Sequence, residues 1–231
     1  TRAETAEGGA AEVKPLTVTL HLKEALPEDL FSELGKKCGV KFYTEPGSLF
    51  DEPQMQRTMD LDIDNQPFWA AVKQISDATG VYPQQNWSNT NSRRICLSRN
   101  SNGWGKRPTC FSENFMITAD SLSRSRSVNI GEDDSKINDN ITLQMTIYAD
   151  PTQRIGQISS NVVLEEVVDE NGQSLLPENL QNNRYYGNST PRGLIYQTST
   201  SLYPHPGVGK KIASFKGMVQ ATVYTKVEKW E

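Results

Sequence analysis

The sequence predicts an α+β protein in two parts: a front domain built from a repeated strand–helix–strand unit, and a β-rich domain behind it. Two observations predict this. Two stretches of the front part match at an offset of 41, so that Val18, Leu20, Leu22, Leu30, Phe31, Leu34, Gly39 and Val40 fall on Met59, Leu61, Ile63, Ala71, Val72, Ile75, Gly80 and Val81. From Thr109 onward helical spacing gives way to short apolar–polar alternations separated by Pro, Gly, Asn and Asp. A chain of 231 residues is long enough for two modest domains. The expected division is a linker over 1–14, an α+β domain over 15–107 and a β-sandwich over 108–231.

Residues 1–14 are small, polar and acidic, without periodicity, and read as a linker. Leu16 to Leu22 alternates apolar with polar and is rich in Thr and Val, the pattern of a half-buried strand. Pro27 suits a first helical turn, where its missing N–H is not needed, and Glu28 and Asp29 favour the positive end of the helix dipole. Leu30, Phe31 and Leu34 form an apolar face, and Gly39 supplies a left-handed cap. Val40 to Tyr43 is a second strand. The second unit follows the same order. A strand runs from Arg57 to Ile63, Asn65 is the expected N-cap, and Pro67 sits in the first turn of a helix ended by Gly80. Val81–Gln85 and Arg93–Arg99 complete the domain as short strands, with both helices expected on one face of a small sheet.

In the back part the expected strands are Phe111–Ala119, Ser127–Ile130, Thr142–Ala149, Val162–Val168, Gln173–Leu176, Leu194–Leu202, Ile212–Phe215 and Met218–Val227. Asp169-Glu170-Asn171-Gly172 is a hairpin turn between apolar runs. Strands at this spacing describe one Ig-like antiparallel β-sandwich of Greek-key type.

The pattern "TVTLHLKEALPEDLFSELGKKCGVKF" followed by "MDLDIDNQPFWAAVKQISDATGV" resembles the short N-terminal (STN-like) domain of secretins and TonB-dependent receptors, over roughly residues 15–100. The first copy departs from that pattern where Pro27 is followed by two acidic residues rather than a hydrophobe. The stretches "FSENFMITADSLSRSRSVNI" and "KKIASFKGMVQATVYTKVEKWE" resemble exported proteins of planctomycete-like bacteria, in which such a short domain precedes a β-rich one. The resemblance implies a periplasmic or extracellular protein whose front domain docks a protein partner, and it carries no activity and no catalytic residues.

Charge and motifs narrow the field in the same direction. The formal net charge is −4, and the basic and acidic side chains of residues 15–107 cancel, so nothing in the chain draws nucleic acid or an anionic surface. No apolar run reaches the length of a membrane span. The three cysteines contain no CxxC pair, which removes zinc ribbons and thioredoxin-like sites. Cys96 and Cys110 stand symmetrically about Gly103, so a hairpin turning at Asn100–Gly105 would bring them face to face as a cross-strand disulfide. Buried free thiols are the other reading.

Candidate chemistry is sparse. Asp60, Asp62 and Asp64 alternate as a solvent-facing strand surface does, and Glu132-Asp133-Asp134 with Asp139 and Asn140 lacks EF-hand spacing. His21 and His205 have no nucleophile or third ligand in a recognisable setting. Gly207-Val208-Gly209-Lys210-Lys211 lacks the phosphate-loop spacing. No cofactor motif is present. The positions that invite a partner are aromatics in polar loops: Trp87, Trp104, Tyr185, Tyr186 and Tyr203. The expected function is non-enzymatic, with an envelope protein as partner. Docking is expected along the edge near Val81–Gln85 and at the Asn179–Arg192 loop. A carbohydrate-binding module using the loop aromatics, with a glycan as ligand, is the alternative.

Overall fold

The computed structural model describes residues 14–84, 93–99, 104, 107–112, 114–128, 137–159, 162–177, 188–189 and 193–224. The protein is a mixed α+β structure in which strands predominate over two helices. In the front part the order is β1 (Thr17–Ala25), α1 (Pro27–Cys38), β2 (Lys41–Thr44), β3 (Met59–Pro67), α2 (Phe68–Thr79), β4 (Val81–Gln84) and β5 (Arg94–Arg99). Two 3-10 turns, Leu49–Asp51 and Pro53–Gln56, fill the passage from β2 to β3 and bury Leu49 and Met55.

The strands form two sheets, not one. β1 pairs with β3, and β5 is the centre of a second sheet ordered β2-β5-β4. The helix α1 packs on β1 and β2, and α2 packs on β3 and β4, so the helix pair lies between the sheets. Each helix therefore needs apolar residues on two sides, which Leu30, Phe31, Leu34, Ala71, Val72 and Ile75 supply. Asn65 is not the cap of α2. It lies in β3, and Pro67 in extended conformation immediately precedes the first helical residue, Phe68.

The offset of 41 recurs in the backbone. Both helices have twelve residues and end at a left-handed glycine, Gly39 with φ 64° and Gly80 with φ 72°. In both, the glycine N–H reaches back four residues, to Gly35 O and Ser76 O. Among the described residues, Glu24 and Asn65 are the non-glycine residues with positive φ, at 48° and 45°. The Glu24 N–H donates to Asp60 Oδ1 at 2.9 Å, and the Asn65 N–H donates to Thr19 Oγ1 at 3.0 Å. Leu20 pairs with Ile63, His21 with Asp62 and Leu22 with Leu61. Exchanging β1 with β3 leaves that register unchanged, with the hydrogen-bonded His21 and Asp62 side chains at its centre.

The back part contains β6 (Thr109–Ser112), β7 (Phe115–Val128), β8 (Ile137–Ala149), β9 (Ile155–Ser159), β10 (Val163–Asp169), β11 (Asn188–Ser189), β12 (Ile195–Leu202), β13 (Ile212–Met218) and β14 (Ala221–Val223). A four-stranded antiparallel sheet, ordered β12-β8-β7-β6, faces a layer made of the ribbon β10-β13 and the three strands β11-β9-β14. The expected strand Phe111–Ala119 is two strands joined by a turn at Asn114. The expected Gln173–Leu176 strand is a single bridge, Ser174 to Val168. The turn at Asp169–Gly172 forms as the sequence predicts, with Gly172 N–H donating to Asp169 O at 3.1 Å. Asp169 is buried and its carboxylate accepts backbone N–H groups from Gly209, Gln173 and Asn171.

One core joins the two parts. The largest cluster of buried side chains includes Phe31, Phe68 and Trp69 of the front and Met116, Tyr148, Leu194 and Ile195 of the back. The Trp69 indole N–H donates to Ala149 O at 2.8 Å, and the Leu16 N–H donates to Asp150 Oδ2 at 2.8 Å. Among the described residues no helix is long and apolar enough to cross a membrane.

Candidate functional site

The seam between the parts is aromatic. The rings of Trp69 and Tyr148 lie 4.9 Å apart between centroids, Tyr148 and Trp104 5.1 Å, and Trp104 and Tyr82 5.8 Å. Burial pushes the Tyr148 phenol up to about 12, with the Asp120 carboxylate adding to the shift. Its oxygen takes the Trp104 indole N–H at 3.2 Å. Trp104 is only 2 % exposed, so it is a seam residue and presents no ring to a partner. A polar loop composition could not reveal that its indole folds back onto Tyr82 and Tyr148.

The seam covers one side of α2 and the edge strand β4. Val81, Tyr82 and Pro83 are buried there and Gln84 is exposed, and along this edge, where docking is expected, Pro83 has no N–H to offer. The matching surface of the first unit is open. Subtracting 41 from Trp69, Lys73, Asp77, Tyr82, Pro83 and Gln84 gives Glu28, Ser32, Lys36, Lys41, Phe42 and Tyr43. These six residues line a groove of about 680 Å³ between α1 and the outer edge of β2, floored by Phe31 and Phe50. Gly35 sits in this groove because a Cβ there would stand 2.5 Å from Val40 O. On the β5 side of β2, the N–H groups of Lys41 and Glu45 donate to Arg93 O and Leu97 O at 2.7 and 3.2 Å. Backbone alternation therefore turns the N–H and C=O groups of Phe42 and Thr44 to the outer edge of β2. Lys36, Lys41, Arg93 and Arg94 line it together with Glu28 and Asp51, a small cationic excess.

A second concavity, about 650 Å³, opens where the seam meets the outer face of the four-stranded sheet. Gln84, Gln144, Gln197 and Ser199 edge it above Tyr82, Trp104 and Tyr148. Asp120, the extra residue of a bulge in β7, accepts from Arg107 at 2.8 Å and from Thr118 at 2.9 Å, and also from Thr146.

The other sequence-predicted site residues are scattered. Tyr203 is 46 % exposed just beyond β12, and its N–H donates to Leu175 O at 2.9 Å. Trp87, Tyr185, Tyr186, most of the Asn179–Arg192 loop and Glu132–Asp134 lie outside the described residues. The expected Cys96–Cys110 hairpin does not form. Cys96 is buried in β5, which pairs with β2 and β4, while Cys110 is exposed in β6, which pairs with β7, and all three thiols are unbonded. Asp139 holds Arg124 in a two-pronged ion pair rather than facing a metal site, and this lowers its own titration below the usual carboxylate range. Among the described residues, no three His, Cys, Asp or Glu side chains stand together as metal ligands. The feature that sequence reading missed is the α1–β2 groove, although the offset of 41 already pointed to it. No family model matches the chain, and neither a curated protein nor a solved structure matches it.

Proposed function

We propose that the protein is a non-enzymatic docking module of the bacterial cell envelope, exported to the periplasm or beyond, whose front part is a duplicated, STN-like strand–helix–strand domain. The back part is read as an Ig-like sandwich that carries it. One observation carries the docking role. Of two surfaces equivalent at the offset of 41, the one on α2 and β4 has Trp69 and Tyr82 packed against the protein's own Tyr148 and Trp104, while no such ring packs on the α1–β2 copy among the described residues. The open copy combines a free sheet edge, an apolar floor and a polar rim. This is the combination an extended partner segment uses when it adds as a strand. Chemical cross-linking in intact envelopes tests this. Recurrent links from Lys36 or Lys41 to a single envelope protein, lost in Lys36→Glu/Lys41→Glu, are expected; recovery of the protein without any such link contradicts the docking role.

The glycan reading keeps one foothold, the amide-rimmed concavity. Gln84, Gln144 and Gln197 offer paired donors and acceptors of the kind sugar hydroxyls need. Retention on a glycan array that is lost in Gln144→Ala/Gln197→Ala supports it, and silence across the array removes it.

A further inference from the structure

The four-stranded sheet of the back part ends on one side at β6. Cys110, Phe111 and Ser112 are exposed in succession, and Phe111 is 48 % exposed, so neither face of this edge strand is covered among the described residues. The register fixes which of its backbone groups point outward. The Ala119 N–H donates to Pro108 O at 2.9 Å, and Cys110 lies opposite Ile117. Hydrogen-bonded positions alternate along an antiparallel ladder, so Pro108, Cys110 and Ser112 turn their backbone groups to β7, and Thr109 and Phe111 turn theirs away. The missing N–H of Pro108 lies on the β7 side and takes nothing from the open edge. The outward donors and acceptors of Thr109 and Phe111 therefore stand symmetrically about Cys110.

Edge strands are commonly guarded by charge, by proline or by a covering segment. β1, β2, β3, β10 and β13 carry charged side chains, and β4 carries Pro83. β6 reads Thr-Cys-Phe-Ser and has neither. At the other edge of the same sheet β12 is also uncharged, but Tyr196, Thr198, Thr200 and Leu202 are buried on its inward face, and the Tyr203 N–H just beyond it donates to Leu175 O at 2.9 Å.

We infer that β6 is a self-association edge whose partner is a second copy of this chain. An antiparallel pair of β6 strands with its two-fold axis at Cys110 sets Thr109 of each copy opposite Phe111 of the other. Each such pair exchanges both of its N–H···O=C bonds, so every outward backbone group of Thr109 and Phe111 gains a partner. The exposed Phe111 ring then packs on a β-branched neighbour across the new seam, a favourable cross-strand pair. Cys110 faces its own copy at a non-hydrogen-bonded position, where Cα atoms approach to about 4.5 Å. A two-fold contact brings identical residues together on its axis, and β6 sets no charge against its like. The symmetry about a single residue specifies a second copy, and the contact closes after two chains. This association is independent of partner docking at the α1–β2 groove.

Sedimentation velocity of the full chain in reductant tests it, and a concentration-dependent monomer–dimer equilibrium is expected. Cys110→Lys and Cys110→Glu each set like charges face to face on the axis, and each alone is expected to weaken the dimer at least tenfold. Mixing the two variants is expected to restore it. Phe111→Pro removes an outward N–H without touching the ladder to β7, and the same tenfold loss is expected. On the unmodified sequence, bismaleimidoethane is expected to join Cys110 to Cys110 between chains, read as that peptide pair by mass spectrometry. This last measurement decides the matter should the variants fail to fold. A chain that stays monomeric at millimolar concentration overturns the inference. So does a dimer without the Cys110–Cys110 link, a folded Cys110→Lys protein that dimerises as wild type does, or a mixture of the charged variants no stronger than either alone.

Discussion

Ser76 and Gly35 occupy equivalent places in the two helices, and they fare differently. Gly35 is required by the close approach of Val40 O, whereas Ser76 is fully buried with a hydroxyl that has no hydrogen-bond partner. Ser76→Ala removes an unsatisfied polar group without opening a cavity, and urea denaturation should find the variant more stable by about 1 kcal/mol. Asp169 makes the opposite case. Backbone N–H groups, that of Gly209 foremost and then that of Gln173, hold its carboxyl below the usual carboxylate range. A group depressed on folding stabilises the native state above its unfolded pKa, and the contribution fades as pH falls through the folded value. Melting temperatures of Asp169→Asn should therefore fall below wild type at pH 7, and the gap should narrow on acidification below about pH 4. The thiols give a third check. Chain unfolded without reductant should titrate three free thiols, and a single thiol would restore the Cys96–Cys110 disulfide.

Elements were legible in the sequence where burial writes a period. Both helices announce themselves by Pro, an apolar stripe and a terminal Gly, and β12 alternates cleanly from Ile195 to Leu202. The second half of β7 was not legible, because Ser121 to Ser127 is exposed throughout and follows no apolar alternation. That segment is a strand through its ladder to β8 and the Arg124–Asp139 pair, neither of which a local pattern encodes. The three-stranded front sheet was missed for a related reason. Its centre, β5, pairs in parallel with β2 some fifty residues away, and no local rule selects that partner. The candidate groove was half legible, since the repeat names its residues but only the fold reveals which copy is covered. Pro83 offers no N–H in the β4 edge strand, and Thr44→Pro should weaken strand addition at the β2 edge by removing an outward N–H. Partner capture should fall at least tenfold in that variant while the circular dichroism of the free protein stays unchanged.

For the molecule as a whole, the shared core makes the two parts one mechanical object. Trp69 is the joint, since it is buried, touches Tyr148 and donates to Ala149 O. Trp69→Ala should cost about 3–5 kcal/mol, the range for deleting a large buried aromatic. Unfolding should remain a single transition in the wild type, because among the described residues one buried cluster spans front and back. Calorimetry that resolves two independent transitions would contradict a shared core. A rigid joint also gives the asymmetry its form: among the described residues, the α2–β4 copy of the unit packs on the back part through Trp69 and Tyr82, and the α1–β2 copy does not. The most direct measurement places a photo-activatable amino acid at Lys41 in one protein and at its counterpart Tyr82, packed on Trp104, in another. In intact envelopes, position 41 is expected to cross-link one discrete envelope protein and position 82 only the chain itself. Equal capture from both positions, or capture from position 82 alone, would contradict the docking role.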